Sequence, residues 1–190
     1  MPFRRSPASQ HPAFAITDHA THHLDHFLAN LQQHPETGNI SSMRKEAPEK
    51  TLEDFLHSEI PLTRAMGILV ESCSSENLIL TAPLEPNHNH LGTAFGGSLA
   101  TMATLAGYCA LWTALGDRKI HIVVRRSSIE YLRPVTGAIR ATCGIPNKEQ
   151  LKHLRKTLST RGKARLALDV VISENDSECV RFTGEFVALL

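Results

Sequence analysis

The stretch from Pro86 to Gly116, PNHNHLGTAFGGSLATMATLAGYCALWTALG, contains no Asp, Glu, Lys or Arg. An uncharged run of this length is stable across a bilayer, along the wall of a cofactor site, or as a helix buried inside a soluble fold. Its apolar part, Leu99 to Leu115, is at the lower limit for a membrane span. It is diluted by Thr101, Thr104, Gly107 and Thr113, and Asp117 and Arg118 follow directly. A buried helix is therefore expected, with no membrane association. Ala100, Ala103, Gly107, Ala110 and Ala114 step by three and four, a stripe of small residues that lets a helix lie close to a concave sheet.

The flanking sequence supplies that sheet. GILVESC and NLILTAP read as two strands around the turn residues Ser74 to Asn77. In IHIVVRRSSIEYL the apolar residues fall on even positions, Ile120, Ile122 and Val124, then on odd ones, Ile129 and Tyr131. Such a change of phase predicts a bulge near Arg125 to Ser128. AIRATCG, KARLALDVVI and CVRFTGEFVAL are further strands, the last two with clean alternation. NKEQLKHLRKTLST reads as a helix with Leu151, Leu154 and Leu158 on one face. Thr51 with Asp54 suits the start of a short helix over LEDFLHS, which Pro61 ends. The fold class is α+β, with about six strands and one long apolar helix.

Residues 1–50 differ in composition. They hold six of the eleven histidines, and ETGNISSMRKEAPEK reads as a polar linker. Thr17 to Gln33 has helical spacing, with Thr17 or Asp18 as cap, and places His19, His22, His23 and His26 on one face. That face could meet a transition metal, but the ordinary reading is a polar solvent face on a helix docked by its leucines. No metal or cofactor is expected. Twenty basic against nineteen acidic residues leave no overall electrostatic footprint for nucleic acid. Cys73, Cys109, Cys143 and Cys179 have no metal-site spacing and read as buried thiols in a reducing compartment. The N-terminus lacks a continuous apolar core of the secretory kind, so a cytoplasmic protein is expected.

IPLTRAMGI, the strand pair, a polar loop ending in Gly-Thr-x-x-Gly-Gly, the small-residue helix and a strand ending in YLRPV resemble the hotdog fold of acyl-CoA thioesterases. The resemblance is strongest to the thioesterase domain that some bacterial acetyltransferases carry at their C-terminus. It runs from Thr51 to Leu190 and includes PNHNHLGTAFGGSL, EYLRPVTG, GKARLALDVVI and FTGEFVAL. It implies an antiparallel sheet wrapped around the long helix, hydrolysis of acyl-CoA or acyl-carrier thioesters, and a site formed between subunits of a homodimer or a dimer of dimers. Uncharged edge strands would fit a large apolar interface.

Hydrolysing a thioester needs a donor for the carbonyl oxygen as it becomes an oxyanion, and a group that positions or deprotonates water. Gly96 and Gly97, at a helix N-terminus, are placed for the first task. Many hotdog thioesterases place Asn or Asp seven residues before the first glycine, and Asn89 stands there. They place His before the glycine pair, where this chain has Phe95. They place Asp or Glu seven residues after the second glycine, where it has Thr104. The usual carboxylate base is thus absent from the helix. His90 is the expected replacement, with His88 beside it. Phe95, His88, Ser127, Ser128, Arg125 and Arg126 are the expected substrate-binding residues. Arg125, Arg126, Arg133, Lys148, Lys152, Arg155, Lys156, Arg161 and Lys163 make residues 125–165 locally basic, suited to coenzyme A phosphates or an acidic carrier protein. The missing carboxylate keeps a second expectation open, a module that holds acyl-CoA without turnover.

Overall fold

The strands that alternate in sequence pair into one sheet, and the uncharged helix lies in its concave face. The computed structural model describes residues 48–190. The histidine helix expected over residues 17–33, with its candidate metal face, and the linker up to residue 47 lie outside the described residues, while Pro48, Glu49 and Lys50, read as the end of that linker, are helical. In chain order the elements are α1 (Pro48–Glu59), α2 (Pro61–Ala65), β1 (Leu69–Cys73), β2 (Asn77–Ala82), a 3-10 turn (Glu85–Asn87), α3 (Gly96–Leu115), β3 (His121–Tyr131), β4 (Ile139–Gly144), α4 (Lys148–Arg161), β5 (Lys163–Glu174) and β6 (Ser177–Leu189). The sheet order is β1-β2-β4-β5-β6-β3, and each neighbouring pair is antiparallel.

Helix α3 is the one described helix long and apolar enough to cross a membrane. Here the sheet surrounds it: α3 touches β2, β3, β4, β5 and β6. The small-residue stripe does what its spacing predicts. A Cβ on Gly107 would stand 2.5 Å and 2.6 Å from two ring carbons of Phe186 on β6, so the glycine is what admits the ring. Helix α1 meets α3 through Phe55, which stacks on Trp112 at 5.0 Å. Helix α1 already includes Pro48, three residues before the start expected at Thr51.

The two sheet edges are finished differently, and neither is uncharged as the sequence led us to expect. Edge strand β1 carries Glu71, bound by Arg140 at 2.8 Å. Its outward backbone is sealed by α1, where Glu53 accepts from Val70 N (3.1 Å) and Glu49 from Cys73 N (3.2 Å). Edge strand β3 carries Arg125, Arg126 and Glu130. The predicted bulge is present, because the register with β6 shifts between Val124 and Arg126. Consecutive strand residues normally point to opposite faces. The bulge lets Arg125 and Arg126 reach the same carboxylate, Glu185, at 2.7 Å and 3.6 Å. Arg125 holds that carboxyl below its ordinary range, chiefly by hydrogen bonding.

Candidate active site

The chain enters α3 through a loop closed on itself. Phe95 N donates to Asn87 O (2.7 Å), Ala94 N to Val135 O (2.8 Å) and Asn89 N to Thr93 O (2.7 Å). Asn87 anchors the base. It is buried, its Nδ2 donates to Met66 O and Pro83 O at 2.8 Å each, and its Oδ1 is buried without a partner among the described residues. Asn89 shapes the tip. Its Oδ1 accepts from Leu91 N (2.8 Å) and Thr93 N (3.3 Å), and its Nδ2 donates to Thr93 Oγ1 (3.0 Å). The expected catalytic amide is therefore engaged inside the loop, an Asx-type turn, in place of an open presentation to substrate.

The N-terminus of α3 is open. Phe95, in extended conformation, is the N-cap and makes no side-chain cap. The first intrahelical bond is Leu99 N to Phe95 O (3.0 Å), so the N–H groups of Gly96, Gly97 and Ser98 meet no acceptor among the described residues. The exposed Phe95 ring lies over Gly97, where a Cβ would clash with it. Beside Gly96 is a hollow of about 260 Å³, bounded by Leu99, Ala94 and the segment from Tyr131 to Val135. The Tyr131 hydroxyl donates to Gly96 O at 3.1 Å.

The other expected residues occupy different parts of this end of the molecule. Gly97, Thr101, Thr104 and Tyr108 share one face of α3, with Thr104 roughly 10 Å along the axis from Gly97. The Thr101 hydroxyl bonds back to Gly97 O at 2.9 Å, while the Thr104 hydroxyl has no partner among the described residues. Burial pushes the Tyr108 phenol up to about 12, with lesser help from Cys109 and Glu59, so it is a neutral donor rather than a base. His88 and His90 are both exposed on the loop. His88 is oriented: its Nδ1 lies 2.8 Å from Asn89 O, which requires the proton on Nδ1 and leaves the Nε2 lone pair free. Ser127 and Ser128 are exposed on β3, three and four residues before Tyr131, or roughly 10–13 Å along the strand. Arg125 and Arg126 are engaged by Glu185, and Arg155 is spent on the far end of α3, donating to Ala114 O (3.0 Å) and Leu115 O (2.8 Å).

Residues 49–190 match the model of a family described as "Putative thioesterase (yiiD_Cterm)". The chain belongs to that family. Among solved structures, a protein of unknown function from Chlorobaculum tepidum TLS is 34% identical, over 74% of this chain and 93% of its own, with a TM-score of 0.70. A "putative thioesterase" from Shewanella oneidensis is 31% identical, over 75% of this chain and 97% of its own, with a TM-score of 0.66. A "probable thioesterase" from Pseudomonas aeruginosa is 21% identical, over 75% and 96%, with a TM-score of 0.67, and shows likeness of fold alone. The antiparallel sheet around α3 is the hotdog fold of these thioesterases. Within this family frame, sequence reasoning misses two contributors to the site. Asn87 is overshadowed by Asn89 two residues on, and Tyr131 reads only as an apolar strand residue. Its place near the start of EYLRPV, three residues before the turn residue Pro134, is the signal that could have found it.

Proposed function

We propose that the chain hydrolyses acyl thioesters carried on coenzyme A or on an acyl carrier protein. The observation that carries this reading is the uncapped glycine N-terminus of α3 at the rim of a partly apolar hollow. Three unpaired N–H groups and the positive end of a 20-residue helix meet there, with no side chain on Gly96 or Gly97 to hold a carbonyl away. The thioester carbonyl docks on these donors, and Leu99 and Val135 line the hollow beside it. Arg133, which borders the hollow and has no ion pair among the described residues, meets the anionic carrier. His88 Nε2 is the base that the loop offers.

The protein acts as a homodimer or a dimer of dimers in this proposal. Supporting it, β1 is sealed by α1 whereas the 11-residue edge of β3 is paired on one side only among the described residues. Partner formation along β3 would bring Ser127 and Ser128 to a shared site. Four free thiols fit a reducing cytoplasm.

The test is release of free thiol from acyl-CoAs and acyl-carrier proteins of graded chain length. Turnover that falls on Gly97→Ala supports the reading. A second reading, a module that binds acyl-CoA without hydrolysing it, is favoured by one observation: Asn89 is spent within its loop and, among the described residues, no carboxylate lines the hollow. Saturable binding with no thiol release would select it, and neither binding nor release would refute both.

A further inference from the structure

A second concave surface lies between α4 and β5, and its chemistry is different. Strand β4 pairs with β5 only at Val170, Val171 and Ile172. From Lys163 to Asp169 that side of β5 has no strand among the described residues, and α4 runs beside it instead. Between them opens a groove of about 480 Å³. His153, Thr157 and Arg161 enter it from α4, and Lys163 and Arg165 from β5, over an apolar floor. Arg155 fastens α4 to the C-terminal carbonyls of α3, so about 28 Å of helix separates this end from Gly96.

Among the described residues no carboxylate lines the groove. None of Arg161, Lys163 and Arg165 has an ion pair among the described residues. Glu185 on β6 acts on Arg165 at a distance, but it is already bound by Arg125 and Arg126. Arg161 alone has an ordinary explanation, as the cation that complements the negative end of α4. That does not account for Lys163 and Arg165, which share one face of β5 roughly 6.6 Å apart. Leu190 N donates to Gly162 O, which sets the ladder so that both the N–H and the C=O groups of Lys163 and Arg165 turn away from β6. Gathering unpaired cations at close range costs stability unless an anion meets them.

We propose that this groove binds a phosphate-bearing small molecule, with Arg161, Lys163 and Arg165 neutralising its charge and His153 and Thr157 as polar partners. Its size suits a nucleotide or a pyrophosphate group. The phosphates have two candidate sources, the carrier half of a coenzyme A thioester or a free nucleotide acting as an effector.

The test is calorimetric titration of the full chain, at low and at moderate salt, with pyrophosphate and with adenosine 3′,5′-bisphosphate. Wild-type protein is expected to bind at least one of them, more weakly as salt rises. Lys163→Glu with Arg165→Glu should lose at least about tenfold in affinity, and Arg165→Gln a smaller part, because charge-assisted hydrogen bonds are removed. Both positions face outward, and thermal melts confirm that the variants fold. Equal affinity in the folded double variant, or no binding by the wild type, overturns the proposal. So does binding of an acidic carrier protein at the groove with no phosphate binding.

Two further assays assign the source. A higher KM for acyl-CoA with an unchanged KM for the phosphate-free acyl-N-acetylcysteamine places the carrier's phosphates in the groove. Unchanged KM for both, with nucleotide binding lost, makes it an effector site, and either result supports the groove. Absence of any thioester hydrolysis would remove the function proposed above, while the titration would still decide this one.

Discussion

Gly107→Ala is the substitution for which helix propensity and packing make opposite predictions. In the middle of an exposed helix the change would stabilise by about 1 kcal/mol. In α3 the new methyl would stand 2.5 Å and 2.6 Å from Phe186 ring carbons, so ring and helix must separate by roughly 1 Å to restore normal contact. The ring cannot swing aside: Phe186 is fully buried, and a Cβ on Gly184 would lie 2.8 Å from its Cε2. Overpacking of this kind costs about 1–3 kcal/mol, which set against the propensity gain leaves a net loss of up to about 2 kcal/mol. Urea unfolding followed by far-UV circular dichroism should show a lower midpoint with an unchanged slope. Gly97→Ala is the internal control. Its methyl meets the Phe95 ring, which is 55% exposed and free to move, so stability should stay level or rise while turnover falls. A Gly107→Ala protein as stable as wild type would refute the argument that this glycine sets the closeness of helix and sheet.

Asn89→Ala removes an acceptor and a donor from the loop and should lower both stability, by about 1–2 kcal/mol, and turnover, by at least about tenfold. Asn89→Asp keeps the acceptor for Leu91 N and Thr93 N, so retention of most activity supports a loop-shaping role, whereas loss equal to alanine would mean that the amide N–H acts on substrate. Glu185 has its pKa depressed by Arg125, so its contribution to stability is present above the unfolded value of about 4.3 and is lost as pH falls through the lower folded value. The melting difference between wild type and Glu185→Gln should therefore be present at pH 7 and close as pH falls below about 4; a constant difference would contradict it. Burial pushes the Cys143 thiol up to about 12 and Cys109 higher still, and Cys179 is also buried. A disulfide reagent should titrate one thiol, Cys73, promptly in native protein and four after denaturation.

Features of the fold with a local period are legible in the amino-acid sequence alone. The uncharged run is α3, the alternating segments are strands of one sheet, and the shift from even to odd apolar positions is the bulge at Arg125. The glycine pair is legible for the same reason, since it marks the start of a helix within a few residues. What stays hidden depends on partners far apart along the chain. Tyr131 reaches Gly96 across 35 positions and Arg155 reaches Ala114 across 41, and neither contact has a periodic signature. Asn89 is conspicuous by its spacing, yet its engagement by Leu91 and Thr93 is a property of loop geometry that spacing does not encode. Charge on the edge strands was not expected because their order in the sheet, β1 and β3 outermost, is not readable from alternation alone.

The two ends of α3 are treated unequally. At one end Arg155 covers the last carbonyls, and at the other no side chain caps the first N–H groups. The influence of a helix dipole fades within its terminal turn, so over a helix about 28 Å long the ends are electrically separate. A cation spent at the tail therefore takes nothing from the head. Anchorage and reactivity are a division of labour along a single rod: mutations that tune how firmly the helix is held can accumulate at one tip without dulling the chemistry at the other.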